Sequence, residues 1–443
     1  MGSDPQWRTR YAEKLIGADE AAGLICDGMT VHFGMVACDP WYLLPVIHER
    51  REELRDVRIY ADLYRSPLPW DDIDADESRI DIRGGYLTAL TRAPYKERRA
   101  QYQPATVFTG HRRYERDVGP PDVGYFHLSP PDEQGMMSFG IAMWDNKIAV
   151  KQCRTVVAEV REDVIRTAGD NFIHVDEIDY LVEVPADAMP PAAPRPPREE
   201  AELAMLDLIG ALTAELVCDG DTVEIGVGAA SNAVTRHLAS KRDLGYHSEL
   251  TSPGIVQLYL DGVMNGSRKS RDRGKLAVTM LPALPDELAA VQSPEHWADW
   301  IVFGVDYIHN PSVIASQHQM TSINTATMLD LTGQIVFDSA GRDMITGPGG
   351  QLEFVIGAVY APGGKSIHSI PSTIGERSRI LAELPPGAVV GIPRYLADTV
   401  VTEFGVASLF GKTERERAWE LIAIAHPDHR GELTAEARRV GLL

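Results

Sequence analysis

Cysteine is scarce in this chain: four in 443 residues. Cys26, Cys38, Cys153 and Cys218 form no C-x-x-C pair and no zinc spacing, which excludes a disulfide framework and any metal site legible in the sequence. Two of them end a helix-like segment, where Cys usually acts as a small apolar residue. Long apolar runs are missing too. None approaches the roughly 20 residues that span a bilayer, and Met1 to Arg8 carry no apolar signal region. The expectation is a cytoplasmic protein in a reducing compartment, with no membrane partner. Positive charge is short: 43 Lys and Arg stand against 64 Asp and Glu, a net charge of −21. That balance disfavours a nucleic-acid partner and leaves room for a local basic pocket around a phosphate-bearing ligand. Three catalytic signatures are absent: H-E-x-x-H, G-x-x-x-x-G-K-S/T and G-x-S-x-G. Metal-dependent hydrolysis, P-loop phosphoryl transfer and the serine-hydrolase route therefore lack support, and no metal is expected.

What is present is an echo. Leu24-Ile25-Cys26-Asp27-Gly28-Met29-Thr30-Val31-His32-Phe33-Gly34-Met35 recurs 192 residues later as Leu216-Val217-Cys218-Asp219-Gly220-Asp221-Thr222-Val223-Glu224-Ile225-Gly226-Val227, with seven of twelve positions identical. Each copy reads as a helix, a turn or C-cap at Cys-Asp-Gly, a β-branched strand and a Gly at the strand end. Two halves built on one plan follow, and the length alone suggests two domains of roughly 200 residues. Between them, residues 185–198 hold six prolines in fourteen positions, the composition of a stiff connector. The expected division is residues 1–184, a linker over 185–198, and 199–443. Glu199 to Val217 has helical spacing. Thr106-Val107-Phe108, Thr155 to Val160, Ala277 to Met280 and Ala388-Val389-Val390 read as strands. Helices alternating with short strands indicate α/β domains with largely parallel sheets. Ligands in such sheets sit beyond the carboxyl ends of the strands.

Three strand-end constellations stand out on that basis. Gly226-Val227-Gly228-Ala229-Ala230-Ser231-Asn232 is a strand, a Gly turn and a helix start, suited to an anion or to nothing more than tight packing. Leu244 to Leu250 is a short strand carrying His247 and Glu249, followed by Ser252-Pro253-Gly254. A lone Glu at a strand end is more often a solvated residue than a functional one. Thr346-Gly347-Pro348-Gly349-Gly350-Gln351 is a Gly-rich turn that suits a close backbone approach to a ligand, or a hairpin. Pro362-Gly363-Gly364-Lys365-Ser366 is a similar turn with a cation beside it.

Taken in order along the chain, these segments resemble the acetyl-CoA hydrolase/transferase family, a group of class I CoA-transferases that includes 4-hydroxybutyrate CoA-transferase. The resemblance also runs through Ser129 to Gly135, Thr167 to Asp170, His309-Asn310-Pro311, Ser322-Ile323-Asn324, Pro371 to Thr373, Val401 to Gly405 and His426-Pro427-Asp428. It implies two similar α/β halves, a homodimer, and coenzyme A as substrate. It implies that Glu249 is a nucleophile. The glutamate attacks an acyl-CoA thioester, CoA returns as a glutamyl thioester, and a second carboxylate leaves as new acyl-CoA. By the same resemblance Asn310 and the backbone N–H groups of Gly349 and Gly350 are candidate oxyanion donors. Gly226, Gly228, Ala229, Asn232, Gly347 and Lys365 are candidate CoA contacts.

The chemistry is physically coherent. A glutamate ordinarily titrates near 4.3, so it needs no general base at neutral pH. Its weak nucleophilicity requires orientation and a water-poor site. A hydrolase resolving the same intermediate with water, and a CoA-binding protein without catalysis, are the rival readings. The chain departs from the family pattern at Pro253, at Pro348 and in the bulky segment Met35 to Trp41, with Trp144 also atypical. Met35, Trp41 or Trp144 could line an acyl pocket; ordinary core is an equally good account of them.

Overall fold

A computed structural model describes residues 2–63, 80–88, 91–115, 118–188 and 200–443. Residues 189–198 of the expected linker lie outside the described residues. The chain divides into two compact units: residues 1–195 with 279–281 and 300–306, and residues 196–278 with 282–299 and 307–443. The second half therefore lends two short segments to the first unit. Leu281 N–H donates to the Ile141 carbonyl (2.7 Å) and Met143 N–H to the Thr279 carbonyl (3.0 Å).

The first unit is built on β1 (Thr30–Phe33), β2 (Val57–Tyr60), β3 (Ile80–Gly84), β4 (Gln101–Tyr102), β5 (Val123–Leu128), β6 (Thr155–Val160) and β7 (Tyr180–Glu183). Their order is β7-β6-β5-β1-β2-β3-β4. Every pairing is parallel. Both faces are buried, as an all-parallel sheet requires. Val31, Val57, Ile59, Tyr125 and Val157 join one apolar cluster, while Phe126, Leu128, Val156, Ala158 and Val160 join another. Alternation along β5 and β6 feeds the two clusters in turn.

In the second unit six strands form one run: β8 (Thr222–Ile225), β9 (Gly245–Leu250), β10 (Met320–Thr325), β11 (Lys365–Ser369), β12 (Thr399–Thr402) and β13 (Gly405–Ser408). The order is β13-β12-β11-β10-β8-β9. All pairings are parallel except the terminal hairpin of β12 with β13. Helix α1 (Glu200–Glu215) precedes β8, α2 (Pro311–Ala315) precedes β10, and α3 (Gln351–Tyr360) precedes β11. The α/β class with largely parallel sheets is thus observed.

The repeated segment takes one conformation twice. Gly28 and Gly220 stand at φ +78° and +85°, in the left-handed region that glycine reaches without strain. Each lies in the turn several residues past the helix end, so it turns the chain rather than capping the helix. Fully buried β1 and β8 follow.

Two expected strands are not strands. Thr106-Val107-Phe108 opens a short helix, Val107–Gly110, because the Thr106 hydroxyl accepts from the Thr109 N–H (3.4 Å) and caps it. Ala388-Val389-Val390 stays irregular. Val389 and Val390 are exposed, so this stretch has no core face to bury as a strand.

Candidate active site

The parallel strands β8, β9 and β10 bring the chemistry-bearing residues to their carboxyl ends. Glu249 is the penultimate residue of β9, with its side chain 13 % exposed. His309 Nε2–H donates to its Oε2 at 2.9 Å, and the Gly350 N–H donates to the same oxygen at 2.9 Å. Among the described residues, both hydrogen bonds to this carboxylate end on Oε2. The geometry separates its two oxygens: one is gripped, the other is left for a reactant.

Local structure explains how the donors arrive. His247 sits two residues before Glu249 and so points to the same side of β9. Burial, then the Lys269 charge, pull the His247 imidazole down to about 3 and keep it neutral. Its Nε2–H can then donate to the Ile308 carbonyl (2.9 Å), which fixes the chain just before His309. Phe354 of α3 meets the His309 ring edge-on, with centroids 5.3 Å apart. On the other side Pro348 leads into Gly349 at φ +55°, again the left-handed region. That turn aims the Gly350 N–H at the carboxylate. A side chain at 350 is impossible without movement, since its Cβ would fall on the His309 ring and 2.8 Å from Glu249 Oε2. The Gly-rich turn is a helix start and not a hairpin, because Gly350 is the N-cap of α3.

A second carboxyl lies on the same face. Glu224 of β8 is 1 % exposed. Its Oε2 accepts from the Ser322 hydroxyl (2.7 Å) and the Asn324 amide (2.9 Å), both on β10. Burial, and then the Glu249 charge against the opposing Ser322 bond, push its carboxyl up to about 8. Sequence reading did not single out Glu224 or His309 as site members. A Glu inside a strand of the internal echo was the available signal.

The other expected residues divide. Asn310 adjoins His309, but its side-chain oxygen accepts from the Ser312 N–H (3.0 Å) and caps α2. Gly226 turns directly after β8, where a Cβ would collide with the Asn324 side chain. Gly228, Ala229 and Asn232 line a cavity of about 620 Å³ together with Arg236, Pro253 and Gly254. The helix there, Ala229–Asn232, is a single turn and carries little dipole. Gly347 precedes the gripping turn. Lys365 does not reach this end of the sheet. It opens β11 opposite Thr321, near the amino edge of β10, and its Nζ pairs with buried Asp221 at 3.1 Å. In the first unit, Met35 and Trp144 pack together with Val305 in a small buried cluster. Trp41 is elsewhere, against Tyr42 and His127. The three do not form one pocket.

Among the described residues no group of three metal-ligating side chains converges, and no helix is long and apolar enough to cross a membrane.

Residues 3–190 match the acetyl-CoA hydrolase/transferase N-terminal domain, and residues 294–437 match its C-terminal domain. The chain belongs to the acetyl-CoA hydrolase/transferase family. A 4-hydroxybutyrate coenzyme A transferase of Clostridium kluyveri is 35% identical over 439 residues, 98% of this chain and 99% of its own. A succinyl-CoA:cyclohexane-1-carboxylate CoA transferase of Geobacter metallireducens is 34% identical over 98% of this chain and 97% of its own. The crystal structure of RipA from Yersinia pestis superposes with a TM-score of 0.84 at 31% identity, covering 99% of this chain and 100% of RipA.

Proposed function

We propose that the chain is an acyl-CoA:carboxylate CoA-transferase that works through a covalent glutamyl-CoA thioester on Glu249. The grip on one oxygen of that carboxylate carries the reading, and the two relatives named as CoA transferases support it. Oε1 attacks the acyl carbon of an acyl-CoA, and the C–S bond breaks to release CoA thiolate. The thiolate attacks the Glu249 carboxyl carbon of the mixed anhydride. Negative charge then develops on Oε2, where the His309 Nε2–H and Gly350 N–H already point. The C–Oε1 bond breaks, the first carboxylate leaves with that oxygen, and the glutamyl thioester remains. A second carboxylate runs the same steps in reverse.

Preorganised donors of this kind act strongly because they need no rearrangement as charge develops. A thiolate is a good leaving group, so no strong acid is required. Short or medium acyl groups are the proposed cargo. For the CoA phosphates, Arg236 in the cavity beside Gly228 and Asn232 is the better-placed cation, since Lys365 is engaged with Asp221.

Intact-protein mass after brief incubation with acetyl-CoA or butyryl-CoA tests the proposal. A CoA-sized adduct on the native chain, absent from Glu249→Ala, supports it. Adding a carboxylate acceptor must then discharge the adduct as a new acyl-CoA. Release of free CoA without a new acyl-CoA would instead make the protein a hydrolase.

A further inference from the structure

Glu224 has no place in the steps above, yet it is a buried carboxyl on the strand next to the nucleophile. Val223 pairs with Tyr246 in the β8–β9 register, so Glu224 and Glu249 project from the same face of adjacent strands. Its hydrogen-bond donors are all neutral: the Ser322 hydroxyl and Asn324 amide, both on Oε2, and the Ile323 backbone. Two carboxylates confined in one low-dielectric site do not both ionise readily; one keeps a proton. The other titratable groups around this face offer little compensation. His247 and His368 are held neutral by burial, down to about 3 and about 4. Lys269 spends its ammonium on the Tyr246 and Lys275 carbonyls at the amino end of β9. His309 points its Nε2–H at Glu249. Glu353, buried in the first turn of α3, adds a further carboxyl on the helix that supplies Phe354.

We propose that Glu224 is a positioning residue for the Glu249 reaction: its carboxyl carries a proton in the working enzyme, and losing that proton shuts the reaction down. The inference rests on the proposed glutamyl-CoA chemistry. The electrostatic reason is direct. The first step moves charge from Glu249 onto the acyl oxygen and then the departing thiolate, and the second brings that thiolate to the Glu249 carbon and places charge on Oε2. A second ionised carboxylate on the neighbouring strand would repel that charge, whereas a protonated one removes the repulsion. Seating the neutral form needs only a sheltered strand position and acceptor-side neighbours without charge, which β8 supplies.

The test compares the parent with Glu224→Gln, which keeps the shape and the accepting oxygen but cannot ionise. In the parent, kcat should fall toward about tenfold per pH unit above pH 8, the slope of one ionisation. In Glu224→Gln, kcat should stay within about twofold of the parent at pH 6.5 and show no alkaline limb to pH 9. A parent without the limb, or a Gln variant that keeps it, overturns the inference. A well-folded Gln variant with kcat down more than about tenfold at pH 6.5 also overturns it. Infrared difference spectra against pH decide the matter without turnover. A protonated-carboxyl band should vanish near pH 8 in the parent, be missing in Glu224→Gln, and titrate at lower pH in Glu249→Gln. A band indifferent to Glu249→Gln overturns the coupling. Failure of transfer with intact infrared behaviour would count against the proposed function and leave the carboxyl pair standing.

Discussion

Gly350 and His309 are in such close contact that the only residue tolerated at 350 is one without a side chain. Both donate to Oε2 of Glu249 at 2.9 Å. Gly350→Ala should push the imidazole off that oxygen. The expected loss in kcat is about 10²–10³-fold, the usual effect of removing an oxyanion donor. His309→Ala should lose a similar factor. The double variant should fall short of the product of the two, since both changes act through one oxygen. Steady-state kinetics on variants checked for folding by circular dichroism measure all three.

Glu249 should exchange an oxygen with its substrates. When an acceptor carboxylate labelled with ¹⁸O attacks the thioester, the oxygen bridging the two carbonyls stays with Glu249 after CoA departs with the acyl group. Peptide mass spectrometry should find one ¹⁸O on Glu249 after turnover and none on other carboxylates. Glu249→Ala should lose transfer by about 10³-fold or more. Label entering Glu249 only from water would identify a hydrolase.

Stability should depend on pH through Glu224. Burial raises its folded value to about 8 from an ordinary 4.5. The folded state then holds a proton that the unfolded chain releases. Its contribution is fully present below pH 4.5 and is lost as pH climbs through 8. Between those limits Glu224→Gln should unfold at progressively higher Tm relative to the parent. Differential scanning calorimetry at pH 5, 6.5 and 8 reads the trend; a constant difference between the two proteins would refute it.

Lys365 and Arg236 should behave differently. Arg236→Gln should raise the KM for acyl-CoA about tenfold with kcat preserved, the loss of one charge-assisted contact. Lys365→Met should leave KM within about twofold. Its effect falls on Tm, by several degrees, because Asp221 is left as an unpaired buried carboxylate.

The parallel architecture is legible because helical patterns alternate with short strand-like runs such as Thr155 to Val160. The echo alone locates the equivalent strands β1 and β8. Short segments misled where local capping or exposure outweighed propensity, as at Thr106 and Val389. Glu249 and the Gly349–Gly350 turn stand out as strand-end features, but only the ordered resemblance gives them roles, because a lone strand-end Glu is more often a solvated residue. His309 belongs to the His309-Asn310-Pro311 segment of the resemblance, but the role falls there to Asn310, and neighbours in sequence point to different partners here: one to the nucleophile, the other to its own helix. Lys365 looked suitable by charge and proximity to a Gly turn. Only the register of β11 against β10 reveals that the turn lies at the wrong end of the strand.

The internal echo sets His32 and Glu224 at one position of the shared strand. His32 is 1 % exposed, hydrogen-bonds the Tyr114 hydroxyl at 2.8 Å, and is drawn down to about 3 by burial and then by Arg113. One half thus strips a proton from a base and the other keeps a proton on an acid, arriving at the same electrical silence near pH 7. The duplicated scaffold holds one state of charge at this position with two different residues. A combinatorial library there should accept neutral polar side chains in either half and reject arginine and lysine in both.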